Sequence, residues 1–143
     1  SSPLASGGGV KGWYKSHFFR SLRELSYMLQ LDVEQLSWVT GETAGYVVSY
    51  TNPYTNLQGT YHPDFIVENT RMGECKPVNL QGTVMVQAKA KAAKAFCSER
   101  GMTYEFVEPD KISWSQLFEL ERSGVVNLTD RTKAKLHETS LDS

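Results

Sequence analysis

The chain has 143 residues, 40% of them apolar and 22% charged, which fits one soluble globular domain with a core of its own. No apolar run approaches the roughly 20 residues that span a bilayer, and the small, polar start from Ser1 to Gly9 lacks the pattern of a signal peptide. Cys75 and Cys97 share no metal-ligand spacing and suit a reducing compartment, the three histidines form no zinc signature, and a net charge of −1 gives no bulk attraction to nucleic acid.

Three consecutive glycines with nothing to pack make residues 1–11 a flexible segment, so the domain is placed at 12–143. From Gly12 the chain turns aromatic and basic. Ser16 is read as the N-cap of a helix running to about Leu31, with Phe18, Leu22, Leu25 and Leu29 as its apolar stripe and Phe19 and Met28 widening it. Glu24 lies at the edge of that stripe. It is either an exposed partner for Arg20 or Arg23 or an extra carboxylate for a nearby site. Residues 31–39 read as a connection anchored by Trp38, Gly45–Tyr50 as a strand, and Thr51–Gly59 as a turn-rich loop.

Tyr61 to Lys76 reads as a β-hairpin. Phe65-Ile66-Val67 is an apolar strand, Glu68 to Arg71 a polar turn, and Met72 restarts the second strand. Together with the strand at 45–50 it makes a three-stranded antiparallel meander. With a loop of about four residues, pairing sets Asp64 nearly opposite Glu74, and directly opposed Cβ atoms lie about 5 Å apart. Two carboxylates that close repel unless a cation joins them or one takes up a proton. Hard oxygen ligands suit Mg²⁺, Mn²⁺ or Ca²⁺, and Lys76, one step along the same face, is placed to orient a nucleophilic water or to stabilise charge on a phosphate. A solvated hairpin with a cross-strand ion pair has the same residues, so the pair alone leaves both readings open.

Val84 to Arg100 reads as a helix closed by Gly101. A small stripe of Ala88, Ala92, Ala95 and Phe96 is expected to pack on the sheet. A polar stripe of Gln87, Lys91, Lys94 and Ser98 is either a solvated face or a wall whose lysines reach phosphates. Met102–Val107 is the next strand, and two helical segments near 113–123 and 129–137 form a helical tail.

This order, with Pro63-Asp64 on one strand and Glu74-Cys75-Lys76 on the next, resembles the PD-(D/E)xK nuclease superfamily over about Gly12 to Val107. Arg20-Ser21-Leu22-Arg23-Glu24 is similar to its first-helix motif, and Tyr61-His62-Pro63-Asp64-Phe65 to the Y-x-PDF strand of many phage members, the small homing-type and TnsA-like endonucleases among them. The resemblance implies an α/β fold with a restriction-endonuclease-like αβββαβ core, a central mixed sheet flanked by helices. It also implies a Mg²⁺-dependent endodeoxyribonuclease, with Mn²⁺ able to substitute, of phage or bacterial cytoplasm. Glu24, Asp64, Glu74 and Lys76 would be its catalytic set, and Asp64, Glu74, Glu24 and the Cys75 carbonyl its metal ligands. Lys15, Arg20, Arg23, Gln87, Lys91 and Lys94 would meet DNA. A site-specific homing enzyme is the first expectation, acting as a dimer or tetramer because so short a chain has little surface for reading a long site. Junction resolution and transposon-end cutting are the alternatives on the same core, and a DNA-binding or phage assembly protein that keeps the fold is the non-enzymatic one. One departure is Gly73, which stands where most members place an aliphatic residue before the glutamate.

Overall fold

The computed structural model describes residues 8–142 of the protein, and the side chains of residues 9–136. The element order is β1 (Gly8–Tyr14), β2 (His17–Ser21), α1 (Leu22–Val33), β3 (Trp38–Thr40), α2 (Gly41–Ala44), β4 (Val48–Thr51), β5 (Gln58–Tyr61), β6 (Phe65–Val67), β7 (Arg71–Cys75), α3 (Val78–Gln81), α4 (Val84–Glu99), β8 (Thr103–Val107), α5 (Trp114–Arg122), β9 (Val126–Leu128) and α6 (Asp130–Asp142). The fold is mixed α/β. No helix among the described residues is long and apolar enough to cross a membrane. The chain divides into two compact units, one of residues up to Gln30 together with Pro109 onward, the other of Leu31–Glu108.

In the first unit β1 is the middle strand of an antiparallel sheet of order β2-β1-β9. Its residues alternate strictly, with Val10, Gly12 and Tyr14 buried and Gly9, Lys11 and Trp13 exposed, the period-two pattern of a sheet with one wet face. Residues 17–21 are therefore a strand, where a helix capped by Ser16 is expected from sequence. Tyr14 pairs with His17, so Lys15 and Ser16 form a two-residue turn with φ of 50° and 69°, the hairpin geometry that matches strand twist. The helix starts only at Leu22. Leu22, Leu25, Met28 and Leu31 are its buried apolar residues with Tyr27, and Leu29 is half-buried. Ser26 is buried as well; its hydroxyl donates to the Leu22 carbonyl (2.7 Å) and accepts from the Ile112 amide (3.0 Å). The expected flexible segment ends inside β1, and its residues 1–7 lie outside the described residues. The tail contains α5, closed at its start by a Ser113–Gln116 capping box, and α6, with the short strand β9 between them.

The second unit is built on a four-stranded sheet of order β3-β6-β7-β8. Its first three strands are antiparallel, and β8 runs parallel to β7, a pairing that needs a long crossover; α3 and α4 supply it. The first strand of this sheet is Trp38–Thr40, which overlaps the end of the stretch 31–39 expected to be a connection. Val48–Thr51 pairs instead with Gln58–Tyr61 in a separate two-stranded sheet, so the expected meander of residues 45–50 with the hairpin is not formed. Ile66 and Met72 on the sheet, Ala93 and Cys97 on α4, and Val48 on β4 form one buried cluster. The helix thus packs through Ala90, Ala93 and Cys97, with Ala92 and Phe96 of the expected stripe partly buried against the same cluster, and Ala95 is exposed. Gln87, Lys91, Lys94 and Ser98 are all exposed, as a polar stripe should be.

Candidate functional site

The β6–β7 hairpin fixes the site. Phe65 pairs with Gly73, Ile66 with Met72 and Val67 with Arg71, so the next position outward sets Asp64 across from Glu74. The turn needs only three residues, because Glu68 and Asn69 adopt φ of 53° and 56°. Directly opposed residues of an antiparallel pair share a face, and Ile66 and Met72 define this one as the face covered by α4. The two carboxylates therefore emerge at the end of a buried apolar row.

Two cross-strand hydrogen bonds lock them. The Cys75 amide donates to Asp64 Oδ2 at 2.9 Å, and the Asp64 amide donates to Glu74 Oε2 at 3.3 Å. Glu74 Oε1 is buried with no hydrogen-bond partner among the described residues. Only 9% of Glu74 is exposed, and an unsatisfied oxygen in such a place costs about 1–3 kcal/mol, more if charged. Burial pushes the Glu74 carboxyl well above its ordinary range, and the neighbouring Asp64 carboxylate pushes it further. The Asp64 amide and the positive charge of Lys76 work in the opposite direction with smaller effect. Lys76 is held by its backbone. Its amide donates to the Val107 carbonyl (3.0 Å), and its carbonyl accepts from Gln81 Nε2 (3.0 Å).

Residues to which the sequence assigns no role complete the surroundings. Tyr61 and Tyr104 have phenols raised above their ordinary range, by burial first and then by the charge of Glu74. The parallel register pairs Met72 with Tyr104 and Glu74 with Phe106, which brings two rings, 5.7 Å apart and edge to face, to the glutamate's side of the sheet and keeps water from it. The Tyr61 hydroxyl donates to the Lys89 carbonyl (3.3 Å), and Lys89 Nζ lies 5.3 and 5.5 Å from the Tyr50 and Tyr61 rings. The amide of Gly41, at the start of α2, donates to the Pro63 carbonyl (3.1 Å) and reaches the Asp64 carbonyl at 3.3 Å. A Cβ on Gly41 would collide with Pro63 O and with the proline ring, so the close approach that seats Pro63-Asp64 requires glycine.

The remaining expected site residues divide between the units. Lys15, Arg20, Arg23 and Glu24 belong to the first, and Gln87, Lys91 and Lys94 lie on α4 in the second. Glu24 and Ser21 close the first turn of α1 together. The Glu24 amide donates to Ser21 Oγ (3.1 Å), whose hydroxyl donates to Glu24 Oε2 (3.2 Å), a variant of the capping box. Arg23 donates to the Pro109 carbonyl at 2.8 Å, and Gln87 Nε2 to the Gln81 carbonyl at 2.6 Å. Among the described residues no group of three or more His, Cys, Asp or Glu side chains is gathered to hold a metal. A cation on the Asp64–Glu74 pair would have to complete its shell from backbone oxygen, water and substrate, which is the usual manner of Mg²⁺. Compared with family models, with curated proteins and with solved structures, the chain matches none.

Proposed function

We propose that the protein is a metal-dependent DNA endonuclease whose centre is Asp64, Glu74, the Cys75 backbone carbonyl and Lys76. The observation that carries this reading is the unpartnered, buried Glu74 Oε1 beside a second carboxylate. A hard cation would satisfy it and would offset the burial and the Asp64 repulsion that raise the glutamate's pKa. The donor set, two carboxylates with a carbonyl nearby, fits Mg²⁺ or Mn²⁺. Such an ion, when bound, supplies positive charge to the scissile phosphate.

The chain's own groups do the rest. Asp64 and Glu74 would hold the cation, kept in one orientation by the Cys75 and Asp64 amides. Lys76, fixed by two backbone hydrogen bonds, orients the attacking water and offsets charge that develops on the phosphate. Phe106, Tyr104 and Tyr61 limit water on one side, which strengthens every charge interaction there. An antiparallel β3-β6-β7 set followed by a helix and a parallel β8 supports a restriction-endonuclease-like core for the second unit.

The test is cleavage of supercoiled plasmid, a four-way junction and random duplex, each with Mg²⁺, with Mn²⁺ and with EDTA. Metal-dependent cutting should fall at least about a hundredfold in Lys76→Ala, with the fold retained by circular dichroism. A preference for the junction would assign resolution, and cutting at one duplex sequence would assign a homing role. Cutting that survives EDTA, or full activity of Lys76→Ala, would sink the proposal.

A further inference from the structure

The outward face of the β2-β1-β9 sheet carries a pattern that the carboxylate site does not use. In one cross-strand row Phe18, Trp13 and Asn127 stand side by side, since Trp13 pairs with both of the others. Trp13 is 42% exposed in the central strand, where a large ring is normally covered. Its ring lies 5.2 Å from that of Phe18 at 55°. Cations frame the two rings. Lys11 lies two residues before Trp13 on the exposed side of β1, the Arg20 guanidinium lies 5.0 Å from the Phe18 ring, and the exposed Lys15 of the adjoining turn has its Nζ 5.6 Å from the Tyr14 ring. None of the three strands, nor the Lys15-Ser16 turn, contains an aspartate or glutamate.

We propose that this face binds single-stranded DNA, with Trp13 and Phe18 stacking on unpaired bases and Lys11, Lys15 and Arg20 taking the adjacent phosphates. An exposed Trp13 beside a half-buried Phe18, with cations alongside and no carboxylate on the three strands, matches the two requirements of a single strand, a π-face for each base and positive charge along the backbone. A duplex keeps its bases stacked inside and offers the rings nothing. An apolar partner would leave the three cations desolvated and would match the rings alone. The Arg20 guanidinium lies over the Phe18 ring, which places a cation beside the surface on which a base would stack. This inference goes beyond the cleavage reading and is independent of it, because stacking and phosphate contacts need no divalent cation.

The experiment is fluorescence anisotropy of a dye-labelled oligothymidylate of about 12 nucleotides titrated with the full chain in EDTA. Trp13→Leu keeps an apolar side chain but has no π-face, and it should bind roughly fivefold or more weakly, the low end of the loss of one stacked base. Trp13→Phe restores a ring and should bind within about threefold of wild type. Arg20→Gln and Lys15→Gln should each flatten the dependence of log K on log salt by about 0.7. Trp13→Leu binding as tightly as Trp13→Phe would overturn the proposal, as would equal affinity for the matching duplex. So would a sedimentation shift from dimer to monomer in Trp13→Leu with DNA affinity unchanged, which would assign the face to a second copy of the chain. Because none of these readouts involves cutting, failure of the cleavage assay leaves them intact, and their failure leaves the carboxylate site intact.

Discussion

Glu74 is the residue where stability and proposed activity pull apart. Its carboxyl is buried, one oxygen is unpartnered, and Asp64 adds a second negative charge. Folding raises its pKa, so above the usual carboxylate range the folded protein holds a proton that the unfolded chain has released. Stability from this group is therefore highest at low pH and falls as pH rises through that window. In metal-free buffer, Glu74→Gln should gain on wild type as pH rises above the ordinary carboxylate range. Denaturant melts of both proteins across that rise measure the difference, and parallel curves would mean that the carboxyl carries no burial penalty. A cation should oppose that gain. Millimolar Mg²⁺ at neutral pH should raise the melting temperature of wild type and leave Glu74→Gln unmoved, since only a ligand held by the native state stabilises it. Equal shifts would place the ion elsewhere.

The elements are placed by features of unequal visibility in the sequence. Pairing of Asp64 with Glu74 is legible because Phe65-Ile66-Val67 and Met72 leave only one register that buries both strands, and α4, β8 and α5 are legible from their length, periodicity and caps. By contrast β3 has three residues, too few for any period. The β1–β2 hairpin is hidden because Phe18, Leu22, Leu25 and Leu29 extend the helical spacing backward over a strand, and because its turn uses Lys15 and Ser16 where Asn and Gly are the usual signal. Of the site's surroundings, Tyr104 and Phe106 depend on a parallel pairing that no local pattern reveals. The same holds for Gly41, whose contact with Pro63 is a tertiary one. Gly41→Ala should therefore destabilise the protein by about 1–3 kcal/mol, the cost of overpacking, and lower the Mg²⁺-induced rise in melting temperature by displacing Asp64. Gly82→Ala is the control, with φ of −86° and nothing within 4 Å of the added methyl; it should be neutral to within about 0.5 kcal/mol. Equal melting temperatures for the two variants would mean that α2 does not seat the Pro63-Asp64 strand.

Over the whole molecule a net charge of −1 conceals segregation. Up to Gln30 the chain has Lys11, Lys15, Arg20 and Arg23 against Glu24, and α4 carries Lys89, Lys91 and Lys94 before its first acid, Glu99. Lys89 is turned onto the Tyr50 and Tyr61 rings, which leaves Lys91 and Lys94 on the exposed stripe. A sum near zero excludes a long-range field but not local attraction, because at physiological salt a charge is felt over about 8 Å. If α4 lines the path of a DNA backbone, duplex affinity in EDTA should fall steeply with salt. The double substitution Lys91→Gln with Lys94→Gln should then reduce the slope of log K against log salt by about 1.8, or 0.9 for each phosphate no longer neutralised. Both lysines are exposed and the stripe is polar, so the melting temperature should stay within a degree or two. An unchanged slope would make Gln87, Lys91, Lys94 and Ser98 a solvated face. A slope that drops while cleavage of saturating duplex persists would separate the groups that hold the backbone from the carboxylates and lysine that would cut it.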